Sequence, residues 1–346
     1  MSASEDTGSR ARRRRAAVMA DVAKLAGVSH QTVSRVINSS ELVRDDTRER
    51  VLAAMRMLDY RPNSVARALA TGKSKMLGVL CFDTTLYGPA STLAGIERAA
   101  HEAGYFISIA SLLSLDRRAV LDAVERLRLQ GVDGILVIAP QIADARAVSQ
   151  LPDDVPVVAL EAGPDRGVPV AAVDQFEGAV LATQHLLDLG HRTVWHIAGP
   201  ADWLEAEQRV AGWRATLEAA GAPVPPVLVG DWSARSGYEL GRQLAVDPDV
   251  TAVFAGNDLM ALGLFRVLHE EGRELPASVS VVGFDDMPET AFFTPPLTTV
   301  RQDFAEIGRR GFHLLLGEMQ SGVRSSARAV VAPELVIRES TAAPRG

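Results

Sequence analysis

The 346-residue chain lacks the features that mark secreted and membrane proteins. Its single cysteine is Cys81, so an intramolecular disulfide cannot form and a disulfide-stabilised secreted domain is excluded. No apolar run approaches the roughly 20 residues that a membrane-spanning helix requires. The arginine-rich N-terminus is not followed by the apolar segment of a secretory signal. We therefore expect a cytoplasmic protein that makes no contact with a membrane.

Motifs of catalysis and of metal binding are also missing from the sequence. Gly72-Lys73-Ser74 resembles the end of a P-loop, but the glycine required five positions before Gly72 is Arg67. No GxGxxG follows the first predicted strand, and there is no GxSxG nucleophile motif. The seven histidines show no HExxH or comparable ligand spacing. We therefore expect no enzymatic activity, no metal and no cofactor.

Negative charge dominates the chain as a whole, with a net charge of −7, but not its first 75 residues. Residues 1–75 hold 15 Lys and Arg against 8 Asp and Glu, whereas residues 76–346 hold 21 against 35. A basic segment on an acidic body directs one end of the molecule toward phosphates. The Arg12–Arg15 run could add non-specific phosphate contacts, although we interpret it as part of a disordered tail.

The segment Met19–Asn38 has the pattern of two short helices joined by a tight turn. Apolar residues recur at helical spacing in Ala20–Ala26, and Gly27 can adopt the positive φ of a helix end. Ser29 stands at an N-cap position before a second helix, His30–Asn38. Such a pair is either an ordinary helical hairpin or a helix-turn-helix, whose second helix enters the DNA major groove. Its apolar stripe leaves exposed side chains that can contact bases or phosphates: His30, Gln31, Ser34 and Arg35.

Two further segments extend this pattern. Asp45–Leu58 is predicted as a third amphipathic helix, capped by Asp45 or Asp46. Pro62 ends that helix and restricts Arg61 to extended conformations. The segment that follows is too short for a helix that is stable alone in water, so we expect DNA and a partner chain to order it. A flexible linker without DNA contacts is the alternative.

From Lys75 onward, short β-rich runs alternate with helical stretches. This alternation is typical of parallel sheets covered by helices on both faces, in which ligands bind beyond the carboxyl ends of the strands. The predicted strands are Met76–Asp83, Phe106–Leu112, Gly134–Ala139, Pro156–Glu161, Thr193–Gly199, Val227–Trp232, Ala252–Asn257 and Ser280–Asp285. The predicted helices include Leu93–Gly104, Arg117–Gly131, Glu177–Gly190, Glu207–Gly221, Ser236–Val246 and Leu259–Gly272.

Polar side chains at the strand ends suit a ligand with many hydroxyl groups. Asp285 follows the apolar run SVVGF and can accept two hydroxyl hydrogen bonds, while Asn257 offers a donor and an acceptor. The ring of Trp232 could pack on the apolar face of a sugar. Arg209, in a predicted helix, brings a rigid fork of donors. Taken singly, each of these residues also fits a turn, a cap or a core position.

The segments DVAKLAGVSHQTVSRVIN and YRPNSVARALATGKS together resemble the LacI/GalR family of sugar-responsive repressors. HIAGP, GDWSARSGY, FAGNDLMALG, SVVGFDDMPE and PPLTTVRQDF are similar to effector-domain motifs of that family, the second and last to its lactose repressor branch. The resemblance implies a hinge helix at Asn63–Ala70 with an apolar wedge at Leu69. It implies DNA contacts by Ser29, His30, Gln31, Thr32, Ser34, Arg35, Asn38, Asn63 and Leu69. It implies effector contacts by Leu86, Glu161, Arg209, Trp232, Asn257, Asp285, Gln302 and Phe304.

The chain departs from the family pattern at three pocket positions. Ile138 stands where the lactose repressor branch has a polar amide, and Trp203 and Glu205 replace small hydroxyl residues. An added tryptophan and carboxylate could close one end of the pocket or stack on a second sugar ring. The particular sugar is therefore left open.

The resemblance predicts an α/β protein with an all-α headpiece and a two-lobed, periplasmic-binding-protein-like domain. We expect a tail at residues 1–17, a headpiece at 18–61, a hinge helix and linker at 62–75, and an effector-binding and dimerisation domain at 76–342. The lobes would hinge near Asp174, Gln302 and Val331, and a dimer interface would lie within Pro89–Leu112.

The expected function is repression through a pseudo-palindromic operator, relieved by a small galactoside or glucoside bound between the lobes of a homodimer. The alternatives are a corepressor-type regulator, in which a ligand such as a nucleobase strengthens DNA binding, and a sugar-binding protein that does not bind DNA. The chain ends at TAAPRG without the leucine-rich helix that makes the lactose repressor a tetramer, so a dimer is expected.

Overall fold

The computed structural model describes residues 17–37, 43–61, 68, 72–112, 117–138, 154–161 and 167–345. Two units are distinguished along the chain, Met1–Ser74 and Lys75–Gly346. The predictions for Asn38, Asn63, Leu69 and the Arg12–Arg15 run, and all but one residue of the predicted hinge helix, lie outside the described residues. Every helix among the described residues is too short or too polar to cross a bilayer.

The N-terminal unit contains three helices in the described residues: α1 (Met19–Ala26), α2 (His30–Ile37) and α3 (Asp45–Met57). Gly27 ends α1 with a φ of +67°, a conformation that side chains disfavour. The side chains of Val22, Val33 and Val51, one from each helix, are fully buried together. This apolar contact fixes the turn between α1 and α2, as the sequence pattern predicts.

The beginnings of the second and third helices differ in how they are capped. The Ser29 hydroxyl accepts a hydrogen bond from the Thr32 amide at 3.1 Å, as expected of an N-cap. The prediction that Asp45 or Asp46 caps α3 is wrong, because the N-cap residue is Arg44 and makes no side-chain cap. Both aspartates lie inside the first turn, where their charge still favours the positive end of the helix dipole.

The second unit consists of two α/β lobes. In chain order its elements are β1 (Met76–Phe82), α4 (Tyr87–Glu102), β2 (Phe106–Leu112), α5 (Arg117–Leu129), β3 (Gly134–Ile138), β4 (Val157–Leu160), β5 (Val170–Val173), α6 (Gln175–Asp188), β6 (Trp195–Ala198), α7 (Leu204–Ala219), β7 (Leu228–Val229), α8 (Ala234–Ala245), β8 (Ala252–Ala255), α9 (Asp258–Glu270), β9 (Ser280–Asp285), β10 (Thr298–Arg301), α10 (Phe304–Ser321), β11 (Arg328–Val331) and β12 (Glu334–Val336).

Each lobe is built around one six-stranded sheet. The strand orders are β2-β1-β3-β4-β5-β11 in the first lobe and β7-β6-β8-β9-β10-β12 in the second. Every pairing is parallel except that of β10 with β12. Apolar clusters cover both faces of each sheet, so the expected doubly covered parallel architecture is confirmed.

Strands β5, β10, β11 and β12 are absent from the prediction, for a physical reason. They are three or four residues long, and β10 begins with two fully buried threonines rather than an apolar run. Strands β11 and β12 lie at sheet edges and are largely exposed or half-buried, so they lack a continuous apolar pattern. Predicted strand Val227–Trp232 is only two residues long as β7.

The chain passes between the lobes at three places. It leaves the first sheet after β5 at Asp174, returns between β10 and α10 at Gln302, and leaves again between β11 and β12 after Val331. The topology confirms that the chain crosses between the lobes at the predicted positions, and the hinge motion there stays a prediction. Three segments of the chain connect the lobes. A change in the angle between the lobes must therefore occur at these segments.

Helices α8 and α9 cross so closely that glycine is required at the contact. A Cβ atom at Gly263 would lie 2.6 Å from the backbone nitrogen of Tyr238 and nearer still to the carbonyl oxygen of Ala234. Both obstacles are backbone atoms, which cannot rotate away. On α10, by contrast, a Cβ atom at the exposed Gly317 would meet nothing within 4 Å.

We predict opposite effects of alanine at these two helical glycines. Gly263→Ala forces α8 and α9 apart and should lower the free energy of unfolding by about 1–3 kcal/mol or more. Gly317→Ala removes the backbone entropy of a helical glycine and should raise it by roughly 0.5–1 kcal/mol. Urea unfolding of the two variants beside the unaltered chain measures both changes. Equal effects would contradict the close crossing.

Candidate functional site

Seven of the eight predicted effector residues surround one cleft between the lobes. The cleft lies beyond the carboxyl ends of the strands, where parallel sheets bind ligands. Its volume is about 40 Å³, well below the roughly 300 Å³ of ordinary ligand pockets. A sugar therefore enters only if the lining side chains or the lobes move. The lining residues are Leu86, Tyr87, Gly88, Pro89, Trp203, Glu205, Arg209, Trp232, Asn257, Leu259, Asp285, Gln302 and Phe304.

A buried guanidinium, that of Arg209, forms the floor of the cleft. Arg209 Nε donates to Gln175 Oε1 at 2.9 Å, and Nη1 donates to the carbonyl oxygen of Gly256. Gln175 Nε2 donates to Gln302 Oε1 at 2.7 Å, and Gln302 Nε2 donates to Asp285 Oδ1 at 2.7 Å. Arg209 Nη2 lies 4.0 Å from that same Asp285 oxygen, which closes a ring of four side chains.

Two carboxylates compete for this guanidinium. Glu205 Oε2 lies 3.8 Å from Arg209 Nη2, and the Glu205 side chain is only 14% exposed. Burial raises the pKa of Glu205 to about 7, opposed by Arg209 and reinforced by Asp285. Burial also raises the pKa of Asp285 to about 6, although Arg209 and Gln302 favour its ionised form. The cleft thus holds acids that titrate near neutral pH.

The side chain of Asn257 is already partly used by the protein. Its Oδ1 accepts from the Met260 amide at 2.8 Å and caps α9, and its Nδ2 donates to the Trp232 carbonyl at 3.0 Å. One Nδ2 hydrogen is left for a ligand. The neighbouring Asp258 accepts from the Thr299 hydroxyl and the Met287 amide, which fixes the loop after β9.

Two tryptophans form one wall of the cleft. The rings of Trp203 and Trp232 meet edge to face, with centroids 5.6 Å apart. The Trp232 ring packs so closely on Gly199 that any side chain there would overlap it. Trp232 Nε1 is buried without a hydrogen-bond partner among the described residues. Trp203 lines the cleft, and its closure of one end or its stacking on a second sugar ring stays a prediction.

Backbone strain occurs at three of the predicted effector residues, and at four other non-glycine residues of the described chain. Glu161, Trp232 and Asp285 have φ values of +56°, +71° and +118°, in the region that favours glycine. For a residue as bulky as tryptophan this conformation is costly, by about 1–3 kcal/mol. Strain of this kind persists where the surrounding packing and a functional geometry demand it.

The structure places one predicted effector residue outside the cleft and identifies one further residue of the site that was not predicted. Glu161 does not line the cleft but a small chamber next to it, with Glu205 between the two. Gln175, which the sequence analysis did not select, is central to the Arg209 ring. The predicted crossover at Asp174 is the signal that could have pointed to Gln175, the next residue. Strand β5, which precedes the crossover, was not predicted.

The headpiece presents a separate polar surface on α2. His30, Gln31 and Arg35 are exposed, as predicted, and so is Ser29. The prediction that Ser34 is exposed is wrong, because Ser34 is half-buried, like Thr32. Ile37 is likewise half-buried, beside the fully packed valines of the helix. The pattern leaves one face of α2 available to a partner, and Arg35 is its basic residue.

The amino-acid sequence matches two known families in turn. Residues 18–63 match bacterial regulatory proteins of the lacI family, and residues 183–341 match a periplasmic binding protein-like domain. The HTH-type transcriptional repressor PurR of Haemophilus influenzae is 34% identical over 333 residues, which cover 94% of this chain and 98% of that protein. The chain belongs to the lacI family. The lactose operon repressor of Escherichia coli is 35% identical over 326 residues, which cover 94% of this chain and 90% of that protein.

Solved structures of lacI-family proteins share the fold. A lac repressor dimer bound to operator and the anti-inducer ONPF matches with a TM-score of 0.85 and 34% identity over 95% of this chain and all of that one. The transcriptional regulator CelR in complex with cellobiose matches with a TM-score of 0.69 and 32% identity over 94% of this chain and 99% of that one. This lacI-family protein therefore combines a DNA-binding helix-turn-helix region with a two-lobed ligand-binding domain, and its relatives are transcriptional repressors.

We predict that the carboxyl of Glu205 makes stability fall as pH rises through neutrality. Between about pH 4.5 and 7 the folded chain binds protons at Glu205 that the unfolded chain has released, so ionisation at higher pH opposes folding. Glu205→Gln should match the unaltered chain at pH 5 and exceed it at pH 8 by roughly 1–3 kcal/mol. Urea unfolding at both pH values measures the difference. Glu207→Gln, an exposed neighbour on α7, should change neither value.

Proposed function

We propose that this lacI-family protein represses transcription by binding operator DNA, and that a small sugar of the galactoside or glucoside type controls its operator affinity. The observation that carries the proposal is the ring of Arg209, Gln175, Gln302 and Asp285. It presents charged and amide groups to a cleft walled by Trp232, a combination suited to hydroxyl groups and to the apolar face of a pyranose. The sugar complex of CelR supports this ligand class by similarity.

The sugar is proposed to act through the hinges. Gln175 follows the Asp174 crossover and Gln302 forms the second crossover, so the hydrogen bonds at the ligand site belong to the segments that connect the lobes. Because the cleft is smaller than a sugar, binding changes the angle between lobes or the packing at these segments. A ligand that prefers one angle then lowers DNA affinity, and DNA lowers ligand affinity by the same factor.

On the DNA side we propose that α2 lies in the major groove. Arg35, exposed on α2, is suited to a bidentate contact with guanine. Ser29, His30, Gln31, Thr32, Ser34 and Asn38 would contribute further contacts, and Asn63 and Leu69 would reach the minor groove from a hinge helix. The headpiece, linker and effector domain keep the proposed boundaries 18–61, 62–75 and 76–342, after a tail at 1–17.

We propose a homodimer, because a pseudo-palindromic operator requires two headpieces. Within the expected interface Pro89–Leu112, the edge strand β2 exposes Phe106 and Ile109, which are 68% and 52% accessible. Large apolar side chains on an uncovered edge strand are characteristic of association surfaces. Phe106→Asp should give a species near the chain mass of 37.0 kDa by sedimentation velocity, against a dimer for the unaltered chain. A monomer in both would contradict this interface.

The alternative within this proposal is that the ligand strengthens operator binding instead of weakening it. A corepressor-type regulator has the same cleft and the same helix-turn-helix, but its ligand strengthens operator binding. Catalysis is not part of the proposal, and the described residues contain no group of His, Cys, Asp and Glu that could hold a metal ion. The relatives are repressors, which further favours a binding function.

Fluorescence anisotropy on DNA from just upstream of its own gene, with mono- and disaccharides added, tests both sites together. Arg35→Ala should weaken operator binding by about 1–3 kcal/mol while changing random-DNA binding less. Asp285→Ala should abolish the sugar response and leave operator binding intact, since the headpiece lies in the other unit. Salt-sensitive binding that a galactoside or glucoside releases is the expected result.

Other outcomes of this titration have definite meanings. A ligand that strengthens binding would make the protein a corepressor-type regulator. Equal loss on operator and random DNA in Arg35→Ala would make Arg35 a phosphate contact. If no palindromic DNA were bound better than random DNA, the proposed repressor function would be wrong.

A further inference from the structure

The chamber beside the cleft is built to hold one small group. It is lined by the side chains of Glu161, Gln175, Glu205 and Gln208, and its volume is about 10 Å³. That volume is about the minimum for one water-sized group, such as an ammonium. Glu205 lies between the chamber and the sugar cleft, since it lines both spaces, and Gln175 at the chamber bonds to Arg209 at the cleft.

One acceptor at this chamber has no donor. Glu161 is 6% exposed, and its Oε1 has no hydrogen-bond partner among the described residues. A buried carboxyl oxygen without a partner costs free energy that the fold does not recover elsewhere. The left-handed backbone at Glu161, with φ at +56°, adds to that cost. Both costs arise at Glu161, where a ligand could donate the missing hydrogen bond.

Carboxyl groups outnumber guanidinium groups around this space. Three carboxyls, those of Glu161, Glu205 and Asp285, surround the single buried guanidinium of Arg209, whose Nε and Nη1 are already bonded to Gln175 and Gly256. The other charged residue at the chamber, Arg328, is exposed, so solvent screens its attraction.

Burial is the main cause that raises the pKa of Glu161 well above its ordinary value, and Glu205 raises it further. Two acids this close cannot both ionise cheaply unless a cation joins them.

We propose that the effector is an amino sugar whose protonated amine sits between Glu161 and Glu205, with its ring in the neighbouring cleft. This inference rests on the proposed function as a sugar-responsive repressor and specifies its ligand class. The ammonium donates to the unpartnered Glu161 oxygen and offsets the excess negative charge. It also favours the ionised forms of Glu161 and Glu205, whose pKa values burial raises, so binding near pH 7 releases protons to solvent.

Isothermal titration calorimetry of the full chain tests the proposal with matched sugars. The probes are the 2-amino-2-deoxy and 6-amino-6-deoxy forms of glucose and galactose, the parent sugars, and the N-acetylated forms as neutral controls of similar bulk. Titrations at pH 7 in two buffers of different ionisation enthalpy measure the protons released. We expect one amino form to bind at least tenfold more tightly than its parent, with a release of protons that the parent does not cause.

Variants assign the effect to the chamber. Glu205→Gln and Glu161→Gln should each reduce the preference for the amino form to less than threefold and lower the number of protons released. Glu207→Gln, exposed on the same helix as Glu205, should keep both. If Glu161→Gln does not fold, Glu205→Gln alone decides, because its side chain keeps its shape and loses only its charge.

The results separate this inference from the proposed function. Parent sugars that bind as tightly as amino forms, and that Asp285→Ala weakens, would overturn the amino-sugar inference and keep the sugar-responsive repressor. An unchanged amino preference in Glu205→Gln would likewise overturn it. If no sugar of either kind binds, the sugar part of the proposed function fails as well.

Discussion

The burial of one guanidinium constrains the ligand-binding domain more than any other interaction. Arg209 is 2% exposed and also lies over the ring of Phe284, with 3.8 Å from its central carbon to the ring centroid. A buried charge is tolerated only if partners replace water, and here Gln175, the Gly256 carbonyl and Asp285 do so, while Gln302 links Gln175 to Asp285. Since Gln175 and Gln302 both lie at lobe crossovers, the ring of side chains around Arg209 must rearrange if the lobes rotate. The charge therefore couples the binding site to the hinge.

The cleft combines strained backbone with a buried donor that has no partner. Non-glycine residues adopt positive φ at Trp232 and Asp285, and the indole nitrogen of Trp232 has no partner among the described residues. Elsewhere in the two lobes, apolar clusters cover both faces of each sheet and helices are capped by Asp174, Ser233 and Asp303. Backbone strain together with an unpartnered donor at the cleft indicates a site shaped for binding rather than for stability.

Basic residues are in excess in the first 75 residues and acidic residues are concentrated in the cleft, which suits two different ligands. The first 75 residues carry the excess of Lys and Arg that phosphates attract, whereas the cleft concentrates acids. Within the cleft, Glu205 changes the balance, because it adds a further carboxyl beside Arg209. The proposed amino sugar would bring positive charge to this acidic site.

Local pattern in the sequence was sufficient for the helix-turn-helix, for the alternating strands and helices, and for the strand-end residues Asp285, Asn257 and Trp232. Each of these depends on periodicity or on residues adjacent in the chain. The tertiary structure alone decided the Arg209 ring, because Gln175 and Gln302 are 127 residues apart and meet only when two short, unpredicted strands place them together. It also decided that Glu161 faces a separate chamber and not the cleft. Such contacts depend on long-range strand order, which local hydrophobic periodicity does not encode.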